Sequence, residues 1–205
     1  SGSGLFVPPY SVSNQELVES YNSYVDLHNQ QHAALIDSGE KAPLAYSSSE
    51  FIEKASGIKN RYVMVKEGIL DPHIMMPLIA DQPSEDLSIQ ASMGIAAAKD
   101  ALAQAQVNAE DIDLVIVACA YTQRAYPAIA IEIQQALGTK GFAYDMLVAC
   151  SSATFAIVSA MNAIKGGSAN RVLVINPELT SPQSNFKDRD SHFIFGDVAT
   201  AVVVE

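Results

Sequence analysis

One cysteine stands where the sequence pattern changes from a strand to a helix. The segment Val148–Thr154 follows an apolar run, contains Cys150 and continues with small residues. At such a turn, free backbone N–H groups and the helix dipole stabilise a thiolate, which is the nucleophilic form of cysteine. The small residues leave space for a substrate chain. Cys150 is therefore a candidate nucleophile, and the alternative is a small buried hydrophobic residue.

The other cysteine has a different context. Cys119 ends an apolar run but is followed by Ala120, Tyr121 and Thr122 rather than by a helix, so we predict a structural role for it. Two cysteines cannot form a disulfide framework, and these two are too far apart in sequence for a redox C-x-x-C motif. At least one thiol is therefore free for chemistry.

The elements that must position Cys150 alternate between strands and helices. A continuous apolar run predicts a buried strand over Leu114–Cys119, and further strands are predicted over Phe142–Val148, also buried, and Arg171–Asn176. Helices are predicted from a capping box at Ser13 and Glu16 to about residue 35, over 84–106, from Pro127 to Gly138, and over 151–165. Residues 193–204 add one or two strands. This alternation favours an α/β fold with a mostly parallel sheet covered on both faces.

Composition and patterning exclude several classes of function. The chain has 205 residues and a net charge of -11, which would repel a nucleic acid backbone. No apolar run approaches the roughly 20 residues that cross a bilayer, and no signal peptide is recognisable, so we predict a cytoplasmic protein. His28 and His32 have i, i+4 spacing but no acidic partner or third ligand. We expect no metal site there.

Four segments carry a resemblance to a known family. The chain resembles the β-ketoacyl-acyl-carrier-protein synthase III branch of the thiolase superfamily through Gly57–Arg61, Tyr126–Pro127, Ala149–Cys150 and Asp188–Asp197. The resemblance implies a layered αβα, thiolase-like fold. It identifies residues 1–205 as the N-terminal one of two similar halves, with surface insertions around 22–48 and 66–83 and with the C-terminal half absent.

The same resemblance implies a reaction of fatty acid biosynthesis. Cys150 would take an acyl group from acyl-coenzyme A and pass it to a carbanion formed by decarboxylation of malonyl-acyl-carrier protein. The backbone N–H of Cys150 would form one side of the oxyanion hole. A His and an Asn from the C-terminal half would assist decarboxylation. The implied assembly is a homodimer, and no cofactor is implied because acyl-coenzyme A is a substrate.

Substrate-binding residues are also implied by the resemblance. Phe51 and Arg189 would clamp the adenine of coenzyme A; the alternatives are a core Phe and a surface Arg paired with Asp188 or Asp190. The acyl tunnel would involve Tyr126, Ala120 and Phe195, and small residues near Tyr126 favour a primer longer than acetyl. Where the family has a basic residue after Phe51, this chain has Ala55. A basic cluster could replace that phosphate contact or could be a solvated edge; it comprises Lys54, Lys59, Arg61 and Lys66.

Two other functions stay open at this point. A non-catalytic thiolase-fold subunit, serving structure or acyl-carrier binding, would keep the fold without the reaction. A related polyketide or signal-molecule synthase would keep the nucleophile and use it in another pathway, since fold alone does not separate such enzymes.

Overall fold

In the computed structural model, which describes residues 1–205, Cys150 lies in a unit built on a five-stranded sheet. This first unit comprises Ser1–Val7, Asp81–Leu179 and Val198–Glu205, and a second unit comprises Pro8–Ala80 and Thr180–Asp197. The strands of the first unit are β1 (Gly2–Phe6), β4 (Leu114–Cys119), β5 (Phe142–Leu147), β6 (Val172–Leu179) and β7 (Asp197–Val204). Its helices are α4 (Ile89–Ala105), α5 (Ile129–Leu137) and α6 (Ser152–Lys165).

The sheet of the first unit is mixed, with the strand order β1-β7-β6-β4-β5. Strand β4 pairs in parallel with β5 and β6, whereas β1 pairs antiparallel with β7. All six residues of β4 are buried, as its unbroken apolar run predicts. The parallel strands β6, β4 and β5 therefore lie side by side, with β5 at the edge of the sheet, and Cys150 lies just beyond the carboxyl end of β5.

Several elements differ from the sequence prediction in burial or in where they begin. Strand β5 was predicted to be buried, but it is an edge strand with exposed or half-exposed residues. Helix α4 begins after the N-cap Ser88 rather than at residue 84, because the Ser88 hydroxyl accepts the Ala91 N–H. The final segment contains a single strand, β7, which agrees with the predicted one or two strands, but this strand begins at Asp197 rather than near residue 193.

The second unit is organised around a small antiparallel sheet and three helices. Strands β2 (Tyr10–Ser13) and β3 (Asn60–Val63) pair with each other, and the helices are α1 (Asn14–Gln31), α2 (Ala33–Asp37) and α3 (Ser49–Ser56). The capping box predicted at Ser13 and Glu16 is confirmed. The sequence analysis did not predict β2, β3 or α3. Residues 64–88 contain no helix or strand, and no helix of the structure is long and apolar enough to cross a membrane.

The carboxylate of Glu16 gives the second unit a pH-dependent contribution to stability. Lys66 Nζ lies 2.6 Å from Glu16 Oε1, and the Ser13 N–H donates to Glu16 Oε2. The Lys66 hydrogen bond, followed by the Ser13 backbone N–H, lowers the pKa of Glu16 from 4.5 to about 2. The charged carboxylate is therefore favoured in the folded state, and this stability is present above pH 4.5 and lost as the pH falls towards 2.

We expect Glu16→Gln to lower the free energy of unfolding by about 1 kcal/mol at pH 7, because solvent screens this partly exposed pair. At pH 3 the difference between wild type and variant should shrink by more than half. Urea unfolding at both pH values measures it, with the exposed Glu53→Gln as the control. An equal difference at both pH values would show that the ion pair does not carry the effect.

Candidate active site

Cys150 lies on a short 3-10 turn, Ala149–Ser151, that connects β5 to α6. The preceding residue, Ala149, has φ of 46°. This left-handed conformation costs a residue with a Cβ about 1 kcal/mol, and it turns the chain sharply at the end of the strand. The thiol of Cys150 is exposed. The predicted position of Cys150 at a strand-to-helix turn is confirmed, and the thiol is open to a substrate.

A buried hydroxyl holds this turn in place. Ser152 Oγ accepts a hydrogen bond from the Val148 N–H at 2.8 Å and donates to the Cys119 carbonyl at 3.0 Å. The side chain of Ser152 thereby joins the carboxyl end of β4 to the turn after β5, on either side of Cys150. The sequence analysis did not identify this role, since a serine among small residues looks like any other tolerated helix position.

Cys119 is a poor nucleophile for a clear physical reason. Its side chain is fully buried and its Sγ donates to the Tyr121 carbonyl at 3.1 Å. Burial, with smaller effects from the charges of Glu178 and Asp145, raises the pKa of the Cys119 thiol to about 12. A thiol that stays protonated at neutral pH is not a nucleophile, which agrees with the predicted structural role.

Exposed apolar residues flank Cys150 along the chain. Leu147 and Val148 precede it, and Phe155 and Val158 follow on the first turns of α6; these side chains are 39–53% exposed. Large exposed apolar areas mark sites of binding or association. The segments on both sides of Cys150 therefore present apolar surface that is suited to binding an apolar group or further protein.

The residues predicted for the acyl tunnel lie in both units. Tyr126 is 90% exposed, on the loop between β4 and α5. Ala120, also exposed, lies at the start of this loop, and its N–H donates to the Glu178 carboxylate. Phe195 belongs to the second unit and is 49% exposed. The structure thus makes all three accessible, and their role in a tunnel remains a prediction.

The predicted adenine clamp is brought together within the second unit. Arg189 Cζ lies 4.0 Å from the centroid of the Phe51 ring, so the guanidinium covers one face of the ring. The Arg189 Nε donates to the Tyr46 carbonyl at 2.8 Å, and its Nη1 lies 3.2 Å from Asp190. A purine between the two planes would need two contacts of about 3.5 Å each. The clamp is therefore closed in this structure.

Two of the four residues of the basic cluster, Arg61 and Lys66, bind other groups of the protein. Arg61 is buried, donating to the Phe193 and Val12 carbonyls and to the Asn14 side chain. Burial lowers the pKa of Arg61 to about 10. Lys66 is bound to Glu16, as described above. Arg61 and Lys66 are thus structural rather than phosphate ligands, and only Lys54 and Lys59 are exposed.

The histidines form no metal centre. The rings of His28 and His32 stack with their centroids 4.3 Å apart, and burial lowers the pKa of His28. His192 is buried against Tyr21, and burial, with the charge of Arg61, lowers the pKa of His192 to about 4. No group of three or more His, Cys, Asp or Glu side chains could hold a metal ion.

Comparison with known proteins identifies relatives across most of the chain. The profile of the 3-oxoacyl-[acyl-carrier-protein (ACP)] synthase III family matches residues 144–205, which include Cys150. The β-ketodecanoyl-[acyl-carrier-protein] synthase of Pseudomonas aeruginosa is 57% identical over 188 residues, covering 92% of this chain and 54% of that protein. The β-ketoacyl-[acyl-carrier-protein] synthase III of Agrobacterium fabrum is 39% identical over 160 residues, covering 78% and 43%.

Solved structures give the same result for the fold. The crystal structure of 3-oxoacyl-[acyl-carrier-protein] synthase III from Aquifex aeolicus matches with a TM-score of 0.71 and 29% identity, covering 98% of this chain and 51% of that one. The predicted α/β, thiolase-like fold is therefore confirmed. The chain spans about half the length of these relatives and corresponds to their N-terminal half.

Proposed function

The chain belongs to the 3-oxoacyl-[acyl-carrier-protein] synthase III family, and from that premise we propose that it carries the acyl-accepting nucleophile, Cys150, of a condensing enzyme. The observation that carries this proposal is the contrast between the two thiols. Cys150 is exposed on the turn between β5 and α6, whereas Cys119 is buried with a raised pKa. The pathway we assign is fatty acid biosynthesis, as the names of the relatives support.

The proposed reaction has two steps. The Cys150 thiolate attacks the thioester carbonyl of acyl-coenzyme A, the new C–S bond forms, and the coenzyme A thiolate leaves. Malonyl-acyl-carrier protein then loses carbon dioxide, and its enolate attacks the acyl-Cys150 thioester, forming a C–C bond and releasing the Cys150 thiolate. Backbone N–H donors, including that of Cys150, stabilise the oxyanion in each addition. Splitting the condensation in this way replaces one difficult step by two easier ones.

The groups that assist decarboxylation come from the remainder of the protein in this proposal. The chain spans about half of its relatives, and its own histidines lie in the second unit, in structural contacts or at its surface. The exposed apolar face of α6, with Phe155, Val158 and Met161, supports a covering by further protein. We assign that face to the C-terminal half, which supplies a His and an Asn.

We propose an acyl primer of about eight carbons. The Pseudomonas aeruginosa relative is named for a β-ketodecanoyl product, which has ten carbons, and condensation with a malonyl group adds two of them. Its 57% identity to this chain supports a primer of the same class. The small, exposed Ala120 and Ala125 near Tyr126 are compatible with a chain longer than acetyl.

A homodimer is proposed on the basis of the free sheet edge. Strand β5 pairs only with β4 and ends the sheet, so its outer N–H and C=O groups have no strand partner. Phe142 and Leu147, at its two ends, are 48% and 50% exposed. An edge with exposed apolar side chains is a template for pairing with another strand. A second copy supplying its own β5 would bury both features and would receive the exposed ring of Tyr126.

The coenzyme A clamp gives a prediction about substrate affinity. We expect Arg189 to move off the Phe51 ring when adenine binds, so that the base stacks between them. Phe51→Ala should raise the KM for acyl-coenzyme A about tenfold, because stacking of a base on an aromatic ring contributes about 1–3 kcal/mol. The kcat should change little. Steady-state kinetics of the complete enzyme measure both, and Tyr62→Ala, at an exposed aromatic residue of the second unit, is the control.

The proposed function is tested by the intact mass of the complete protein after incubation with acetyl- or octanoyl-coenzyme A. The expected result is an acyl-sized increase that peptide mapping locates on Cys150, with octanoyl-coenzyme A reacting faster. Faster reaction with the acetyl donor would contradict the eight-carbon primer alone. No acyl increase from either donor would contradict the enzyme and favour a non-catalytic subunit of the same fold.

A further inference from the structure

The loop that carries Tyr126 is held by side chains from outside it. This Tyr126 loop, Ala120–Ala128, connects β4 to α5 and contains no regular secondary structure. The Tyr126 ring is 90% exposed, so contacts of the ring within this chain do not fix its position. The position of Tyr126 therefore depends on how the backbone of the loop is anchored.

Both ends of the Tyr126 loop are tied to the strand and helix that flank Cys150. Before the loop, the Cys119 carbonyl accepts the Ser152 hydroxyl at 3.0 Å, and Ser152 is the first residue of α6. After the loop, the carboxylate of Asp145 accepts the N–H groups of Ile129 and Ala130 at 2.9 and 2.8 Å. Asp145 lies on β5, which leads directly to Cys150. Any movement of the loop relative to Cys150 would break these bonds.

The middle of the loop is held by two glutamines that bind each other's backbone. Gln90 is fully buried; its Nε2 donates to the carbonyls of Tyr121 and Pro177, and its Oε1 accepts the Gln123 N–H. In return, Gln123 Oε1 accepts the Ile89 N–H at 3.0 Å. This exchange joins the loop to the first turn of α4. A side chain that satisfies three backbone groups at once leaves the loop little freedom.

We infer that Asp145 and Gln90 are positioning residues for Tyr126, holding the Tyr126 loop in register with Cys150 so that acyl-chain selectivity depends on them. The inference rests on the proposed function and its homodimer, in which the Tyr126 ring reaches the acyl chain of the second copy across the β5 edge. Because Asp145 lies on β5, anchoring the loop to β5 fixes the ring relative to the Cys150 of either copy. Neither residue is required to touch the substrate. Their effect is geometric, because misplacement of a bordering group by about 1 Å is enough to change reactivity strongly.

Removing either Asp145 or Gln90 should change the octanoyl-to-acetyl ratio of acylation rates more than it changes the rate of acetyl transfer. In Asp145→Ala the N–H groups of Ile129 and Ala130 lose their acceptor, and the N-terminus of α5 loses a negative charge that its dipole favours. The loop can then shift while Cys150 stays on its turn, which Ser152 holds independently. Acetyl transfer, which needs little of the tunnel, should be the less affected reaction.

The experiment compares initial rates of Cys150 acylation from octanoyl- and acetyl-coenzyme A in the complete enzyme. We expect Asp145→Ala to lower the octanoyl-to-acetyl ratio at least about fivefold. Asp145→Asn, which keeps one acceptor oxygen, should restore part of it. Gln90→Met, which keeps the volume but not the hydrogen bonds, should also lower the ratio and serves as a second variant if Asp145→Ala does not fold.

Asp113 provides a matched control in the same unit. Its carboxylate also accepts two backbone N–H groups, from Asn170 and Arg171 at 2.6 and 3.1 Å. Asp113, however, directly precedes β4, so it lies at the amino-terminal end of that strand, away from the end at Cys119 where the Tyr126 loop begins. Asp113→Ala should leave the ratio within about twofold of wild type. An unchanged ratio in the Asp145 and Gln90 variants, or an equal change in Asp113→Ala, would overturn the inference. Absence of acylation in the wild type would instead overturn the proposed function.

Discussion

Cys150→Ala is expected to abolish the proposed acyl transfer from octanoyl-coenzyme A and to lower the rate of condensation by at least about a thousandfold. The expected loss is this large because the thiol forms the covalent bond in the first step and is the leaving group in the second. The neighbouring Ser152 cannot replace it, because the Ser152 hydroxyl is buried and bound to the Val148 N–H and the Cys119 carbonyl.

Cys119→Ala is the matched control, because it removes the same thiol group from the end of the neighbouring strand. Its side chain is buried and its pKa is raised to about 12. We expect this variant to acylate at a rate within about threefold of wild type and to lose about 1 kcal/mol of stability, from one small buried group. Intact mass and steady-state turnover of the complete enzyme measure both variants. Acylation that survives in Cys150→Ala and disappears in Cys119→Ala would reverse the assignment.

The sequence was sufficient to predict the central strands and the location of Cys150, and the physical reasons are local. The apolar run Leu114–Cys119 admits little except a strand buried on both faces, and the small residues after Cys150 fit a helix start. Ser13 and Glu16 form a capping box whose two hydrogen bonds involve residues three positions apart. Such features depend on neighbours in sequence, so the sequence contains them.

The features that the sequence did not predict depend on distant partners. Strand β5 is mostly apolar and was read as a buried strand like β4, and only the sheet order shows that it lies at an edge. The strands β2 and β3 are four residues each, and they are stabilised by pairing across about 50 positions of sequence. Arg61 looked like part of a basic surface, but carbonyls of Val12 and Phe193 surround its guanidinium in the folded chain.

The same distinction separates parts of the candidate site. Cys150 was found because nucleophile and turn are adjacent in sequence. Asp145 and Gln90 were not, because an acid in a strand and a glutamine in a helix carry no local sign of the backbone groups they bind. The resemblance placed Phe51 and Arg189 on the two sides of a bound adenine, whereas the direct stacking of the guanidinium on the ring was found only in the structure.

Asp197→Ala is expected to lower the free energy of unfolding of the second unit by about 3 kcal/mol, because it leaves buried donors without an acceptor. Asp197 is 3% exposed and ends the Phe-Gly-Asp segment. Its Oδ2 accepts the Met64 N–H at 2.8 Å and the Ser181 hydroxyl at 2.7 Å, while Oδ1 accepts the Ser181 N–H at 2.8 Å. One carboxylate thus joins three segments of the chain.

The loss in Asp197→Ala should appear in stability rather than in chemistry, because this buried carboxylate already accepts three hydrogen bonds from within the protein. Urea unfolding followed together with hydrogen exchange of the Met64 and Ser181 amides measures it. Asp190→Ala, which removes a 79% exposed carboxylate from the same segment, should stay within about 0.5 kcal/mol of wild type. Equal stability of the two variants would contradict the structural role. A folded Asp197→Ala enzyme that acylates Cys150 normally but no longer condenses would instead place Asp197 in the second chemical step.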